Sequence, residues 1–340
     1  MMHKTAKLFK ALKEGIISFT GAQQDVHTPV ALVEEILSKI DLNDKKILVI
    51  FNLEFVISLI YTYNVDPSNI TFYSDHENKS KMCNMMGVKY ITNLEIDMKF
   101  DVVVGNPPYQ RKNNAAKRWT LWPEFVKTSL KLADVVALVV PQSLTSPGEM
   151  FDLIKNKCSV LNVDVNKHFN VGSTFCYFIA HSNRQVTSTT IITDEAEYIK
   201  DISQLPFLPL TIDDETLTQL NQLIARPKKI WKRGELHTSN KHLFSNSGKY
   251  AVMHTNAQQL KTNTEHKNKS KIRVAVSLSG YPKFKVIQNQ YVSQACFWTE
   301  FTTLEDATNF ANECNGDIIQ GMLQVFKWSG WNSKSVIQRL

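Results

Sequence analysis

FDVVVGNPPYQ, residues 100–110, is the stretch whose reading decides the fold. Phe100–Gly105 is apolar without a clean period-2 alternation, the pattern of a strand buried on both faces of a parallel sheet. Asn106, Pro107, Pro108 and Tyr109 follow at once, beyond its carboxyl end. In an open α/β sheet this is the edge where ligands bind. Two consecutive prolines fix the loop backbone and remove two N–H donors. They stiffen the Asn106 carboxamide and the Tyr109 phenol as these face a common cavity. A rigid carboxamide oxygen and a neighbouring backbone carbonyl both accept hydrogen bonds from an exocyclic NH2 group. That holds the amine and draws its lone pair out of conjugation with the ring, while a phenol ring stacks on the base. No formal general base is required, because the proton leaves after alkyl transfer.

The flanking sequence repeats the same alternation of element types. Upstream, PVALVEEILSKI carries Val30, Val33, Ile36, Leu37 and Ile40 on one helical face, with Pro29 at the start. KKILVIF (45–51) reads as a buried strand, EFVISLIYTYN as a helix, ITFYSD (70–75) as a strand and ENKSKMCNMMG (77–87) as a helix stopped by glycine. Downstream come a helix in PEFVKTSLKLA, a strand in DVVALVVP (134–141) and a helix in GEMFDLIKN. Two further strands, VLNVDVN and TFCYFIAHS, are expected as an antiparallel edge. A short helix is also expected over residues 5–19. The pattern predicts an α/β fold with helices on both faces of a mainly parallel sheet.

Charge divides the chain. It carries 39 Lys and Arg against 32 Asp and Glu, a formal +7. Residues 1–100 hold 11 basic and 12 acidic side chains, residues 101–225 hold 11 and 13, and residues 226–340 hold 17 and 7. The excess therefore lies in the last third, which suits a near-neutral body joined to a polyanion-binding region. Arg226, Lys228, Lys229, Lys232 and Arg233 form one cluster, and Lys267, Lys269, Lys271 and Arg273 another. We expect a domain over 1–203 with an N-terminal helical extension, a connecting segment over 204–225 and a basic domain over 226–340.

Other classes are excluded or disfavoured. There is no apolar run of 18 residues, hence no expected membrane span, and no apolar leader with a small-residue cleavage site, which argues against a secreted protein. Five scattered cysteines without a CxxC pair argue against a disulfide framework and a cysteine zinc site; no metal is expected. Walker A, HExxH and nucleophile-elbow patterns are absent from the sequence.

With the NPPY loop, the sequence resembles the amino-group DNA methyltransferases, particularly adenine-N6 enzymes of restriction–modification type. QDVHTPVALVEEIL (24–37) is similar to the family's Thr-Pro element before a helix, which helps enclose S-adenosyl-L-methionine; Thr28 and Pro29 are the matching residues. ITFYSD resembles the second strand with its terminal acid, and NLEIDMKFDVVVGNPPY the next motifs. The resemblance implies a Rossmann-like methyltransferase sheet with a smaller mixed α+β DNA-recognition domain. It implies Asp75 on the cofactor's ribose and Asp97 near its adenine, with Glu95 almost as well placed as Asp97. The NPPY residues would hold a flipped-out adenine, with Phe175 as a further base contact and the two basic clusters as phosphate contacts. Double-stranded DNA and a restriction endonuclease are the implied partners, in a bacterial or virus-infected cytoplasm. The oligomeric state is left open.

One departure marks this chain. The family closes its first strand with an acidic, glycine-rich loop, but ILVIFNLEFVISL has no glycine, nor does the whole span between Gly21 and Gly87. Asn52 and Glu54 are the residues placed to hydrogen-bond the methionyl group and engage its ammonium. Two readings stay open: an active adenine-N6 methyltransferase, or a related DNA-binding or regulatory protein that has lost methyl transfer. Methylation of an RNA, or of a protein amide or amine, would use similar chemistry.

Overall fold

The computed structural model describes residues 27–74, 77–95, 97–112, 118–169, 173–237, 239–245, 247–255, 259–265, 267–327 and 332–340. The expected helix over residues 5–19 and the candidate acid Asp75 lie outside these. The chain divides into two compact units. The first runs to Leu144 and resumes over Glu149–Gln204; the second comprises Thr145–Gly148 and Leu205–Leu340. Of the segment 204–225 read as a connector, only Gln204 closes the first unit. The remainder belongs to the second, because its helix, Asp214–Ala225, buries Leu217, Leu220 and Leu223 there.

The first unit is built from helix α1 (Val30–Leu37), strand β1 (Ile47–Ile50), α2 (Leu53–Tyr61), β2 (Ile70–Tyr73), α3 (Glu77–Met86), β3 (Lys89–Ile91) and β4 (Phe100–Gly105). A two-stranded hairpin follows, β5 (Gln110–Lys112) with β6 (Arg118–Thr120). Then come α4 (Trp122–Leu132), β7 (Ala133–Pro141), α5 (Glu149–Ile154), β8 (Cys158–Asn162), β9 (Phe175–His181), β10 (Thr189–Ile192) and β11 (Glu197–Lys200).

Among the described residues these strands form a nine-stranded sheet in the order β11-β10-β8-β9-β7-β4-β1-β2-β3. From β3 to β7 all neighbours are parallel. β9 runs against both β7 and β8. With β3-β2-β1-β4-β7 continued by the reversed β9 and then β8, this is the Rossmann-like sheet of S-adenosylmethionine-dependent methyltransferases. The reversed strand is interior, which corrects the expectation of an antiparallel edge. β10 and β11 extend the sheet beyond β8; their polar, short segments carry little period signal, so the sequence reading missed them. β1 and the Val102–Val104 stretch of β4 are fully buried. The core packs Leu32, Val33 and Ile36 of α1 and Phe55, Val56 and Leu59 of α2 with Ile47, Val49, Val104 and Val139 of the sheet. At about 25 cal/mol per Å² of apolar surface, such burial is the main stabilising term.

The second unit contains α6 (Asp214–Ala225), β12 (Lys232–Arg233), β13 (Tyr250–Met253), β14 (Gln259–Thr262), β15 (Ile272–Ser277), β16 (Lys285–Ile287), β17 (Tyr291–Val292), β18 (Cys296–Phe301), α7 (Leu304–Asn315), α8 (Asp317–Val325) and α9 (Lys334–Ile337). Its strands form a four-stranded sheet, β12-β18-β15-β16, and a three-stranded sheet, β14-β13-β17. Trp298, Ala275, Ile287, Val292, Cys296 and Met253 make one of its cores. This is the mixed α+β unit expected for the basic end. No helix among the described residues is long and apolar enough to cross a membrane.

Candidate active site at the ends of β1 and β4

β1 and β4 pair in parallel, with Ile50 beside Gly105, so their following loops leave the sheet side by side. Gly105 is required by this proximity: a Cβ there would stand 2.4 Å from the Ile50 carbonyl oxygen. Beyond it, Asn106, Pro107 and Pro108 are buried and Tyr109 half-buried.

Asn106 is held from three directions. Its backbone N–H donates to Asn52 Oδ1 at 2.9 Å. Its Nδ2 donates to Thr28 Oγ1 at 3.1 Å, and its Oδ1 accepts from the Tyr109 hydroxyl at 2.5 Å. The Thr-Pro element and the NPPY loop, 78 residues apart in sequence, thus share one hydrogen bond. Pro29 opens α1, its carbonyl accepting from the N–H groups of Leu32 and Val33 at 3.0 and 3.1 Å. The Tyr109 ring lies 5.2 Å from that of Phe175, tilted by 33°. Phe175, at 5% exposure, also meets Phe169 and backs the tyrosine from within the core. Burial is the main cause raising the Tyr109 pKa above its ordinary value, so the phenol stays a hydrogen-bond donor.

At the end of β1, in a stretch without glycine, Phe51 takes φ +68°. The left-handed region costs an ordinary L-residue about 1–2 kcal/mol. Several contacts offset that cost. Phe51 N–H donates to the Tyr73 carbonyl at 2.9 Å, and Asn52 N–H donates to the Ile50 carbonyl at 3.0 Å, the i→i+2 bond of a γ-turn. The buried Lys79 donates its Nζ to the Phe51 carbonyl at 2.7 Å. The Phe51 ring packs edge-on against Tyr73 and Phe125, with centroids at 5.2 and 5.4 Å. A tight backbone turn thus follows β1 without glycine, fixed by an aromatic cluster.

Glu54, in the first turn of α2, is 2% exposed and accepts from His27 Nδ1 at 2.7 Å. That hydrogen bond, aided by the carboxylate charge and opposed by burial, holds the His27 pKa above its ordinary value. The sequence reading gave His27 no role, since the pairing spans 27 residues of chain. Glu35 was missed likewise: it accepts from Asn162 Nδ2 at 2.7 Å and the Tyr177 hydroxyl at 2.9 Å, tying α1 to β8 and β9. Asp97 is exposed in the turn before β4, as is Glu95. A cavity of about 400 Å³ bordered by Asp41, Asp44, Tyr63 and Asp66 opens at the amino-terminal end of β1 and β2, the opposite end from this site.

In the second unit the basic residues separate into two kinds. Arg226, Lys228, Lys232, Arg233 and Lys267 are exposed. Arg273 is fully buried; it donates to Glu235 Oε1 at 2.8 Å and to the Gln290 carbonyl, and stacks on Trp298. This corrects its expected place on a phosphate-facing surface, because a buried, paired guanidinium has no face to offer. Lys271 pairs with Glu300 at 2.7 Å and Lys269 with Glu265 at 3.1 Å. Lys229 sets its ammonium 3.7 Å from the Phe310 ring centre, and burial lowers its pKa.

Residues 34–171 match the Eco57I restriction-modification methylase family. The resemblance read from the NPPY loop is borne out over this span, which begins within α1 and ends short of β9. Comparison with curated proteins gave no match. Among solved structures, the chain is similar to the type I restriction-modification system methyltransferase subunit from Streptococcus thermophilus, with 13% identity over 53% of this chain and 51% of that one, at a TM-score of 0.40. It is similar to the type IIG restriction endonuclease BpuSI, with 11% identity over 98% of this chain and 60% of that one, at a TM-score of 0.46. It is also similar to the type IIL restriction-modification enzyme MmeI, solved in complex with DNA, with 9% identity over 73% and 52% of the two chains, at a TM-score of 0.46. The chain spans little more than half the length of these proteins.

S-adenosylmethionine is the methyl donor that the resemblance implies, and the donor set at the β1 end suits it. The buried Glu54 carboxylate accepts an N–H from a basic side chain, His27, and so suits the ammonium of a methionyl group.

Proposed function

We propose that the chain is an S-adenosylmethionine-dependent DNA methyltransferase of restriction–modification type that modifies the N6 amine of a flipped-out adenine. The observation that carries this reading is the buried Asn106 at the end of β4, its backbone N–H held by Asn52 and its carboxamide by Thr28 and the Tyr109 hydroxyl. Thr28, Pro29, Asn52 and Glu54 would hold the cofactor. The chemistry that S-adenosylmethionine supplies when bound is an electrophilic methyl group. Asn106 Oδ1 and the Pro107 carbonyl accept the two N6 hydrogens, turning the nitrogen lone pair away from the ring. Tyr109 stacks on the base, and Phe175 supports Tyr109 from behind. Holding the amine in line is a positional contribution, which is large when the geometry is preset. An adenine inside the duplex is unreachable, so it has to leave the stack. Arg226, Lys228, Lys232, Arg233 and Lys267 are the exposed cations proposed to meet phosphates, a contact that positions DNA without naming its sequence.

A second reading, a base-holding protein without methyl transfer, is favoured by one observation: the Asn106 carboxamide already donates to Thr28 and accepts from Tyr109, and Glu54 already accepts from His27. Incubation with unmethylated DNA and labelled S-adenosylmethionine, followed by nucleoside analysis, decides between them. We expect labelled N6-methyladenine, and a loss of about 100- to 1,000-fold in Asn106→Ala with DNA binding retained. Label in another nucleoside or in protein would overturn the adenine assignment, and DNA binding without label would establish the second reading.

A further inference from the structure

His27 and Glu54 form an ion pair at the mouth of the proposed methyl-donor site, and this pair carries a consequence for cofactor binding. Glu54 is withdrawn from water in the first turn of α2, whereas a third of the His27 side chain remains exposed. The buried carboxylate needs a positive partner, since an unpaired buried charge is costly. The partner sits on a chain segment that also serves the reaction centre, because the next residue, Thr28, accepts from Asn106 Nδ2. Glu54 is the charged group acting on His27, and Lys79 is the cation that α3 brings to this strand end, on the Phe51 carbonyl.

The geometry points to His27 as a built-in occupant of the ammonium subsite, which the α-ammonium of the methyl donor or its product must displace from Glu54. The inference rests on the methyl-donor reading above. Both cations need the same carboxylate, so they compete. Freed from Glu54, the imidazole returns toward its ordinary pKa, so between that value and the raised one the exchange releases up to one proton to solvent. In the free chain Glu54 holds the His27 pKa above its ordinary value, which links the exchange to a proton. Ammonium-bearing ligands therefore bind more tightly as pH rises through the His27 titration, by up to about tenfold per pH unit for one linked proton. An adenosine ligand without the amino acid group does not touch Glu54, and its affinity does not follow that titration.

The test is calorimetric binding to the full chain between pH 5.5 and 8.5, using S-adenosylhomocysteine and 5′-methylthioadenosine, which share the adenosine but differ in the aminocarboxylate. We expect S-adenosylhomocysteine affinity to rise with pH, accompanied by proton release, and 5′-methylthioadenosine affinity to stay level. His27→Gln keeps a hydrogen-bond donor to Glu54 without the charge; it should remove the slope and bind S-adenosylhomocysteine at low pH as tightly as the unaltered chain does at high pH. Parallel pH profiles for the two ligands, or a slope that survives in His27→Gln, would overturn the competition while leaving the methyl-donor reading standing. Binding of neither ligand would overturn both. The profile of the unaltered chain needs no variant to fold, so the outcome does not depend on the substitution being tolerated.

Discussion

The ends of β1 and β4 are neighbours in register, Ile50 beside Gly105, and they turn the chain by opposite means. β4 uses glycine where its strand approaches β1, then two prolines that leave the loop no conformational freedom. β1 has no glycine and forces Phe51 to φ +68°, held by Lys79, the Tyr73 carbonyl and two aromatic rings. One turn is permitted by the residue itself, the other by its surroundings. A missing motif glycine is thus not a missing turn where neighbouring contacts outweigh about 1–2 kcal/mol of backbone strain.

That comparison breaks most severely at Gly105. Gly105→Ala would set a Cβ against the Ile50 carbonyl oxygen, a backbone atom that moves only if β1 and β4 part. We expect a loss of about 3 kcal/mol or more, read as the shift in a denaturant midpoint, and an unchanged midpoint would show that the close approach is not fixed. Asn52→Ala removes the link between the loops. The buried Asn106 N–H then loses its acceptor, at about 1–3 kcal/mol by the same measurement. The smallest effect is the most specific. Phe51→Gly and Phe51→Ala both lose the ring contacts, but only alanine keeps the strain. The glycine variant should therefore be the more stable by about 1 kcal/mol, the reverse of the usual order at a residue with negative φ. Equal midpoints would remove the strain from this account.

Much of the first unit was legible before any coordinates. The ILVI and VVV runs have the continuous apolarity of doubly buried strands, and the NPPY loop announces itself by following one of them. The position of β9 was not legible. Nothing local distinguishes a reversed strand inserted between β7 and β8 from one at an edge, since both read as apolar runs. The aromatic clamp on Phe51 escaped for a similar reason: Tyr73 and Phe125 come from β2 and α4, and their meeting depends on the sheet being assembled.

The basic end shows the same division. Composition alone made it a cationic region, because net charge is a sum that folding does not change. Folding sorted the charges. Arg273 went into the core with Glu235, 38 residues away, while Arg226 and Lys228 stayed in solvent. The sequence by itself determined the alternation of strands and helices, the site's location at a strand's carboxyl end and the amide that occupies it. These follow from local propensity, periodicity and the fixed φ of proline. Only the tertiary structure decided that Phe51 takes a positive φ, that His27 answers Glu54 and that Thr28 holds Asn106. Each is a contact between distant segments, formed because a buried polar or strained group must find its partner wherever the packed core brings one.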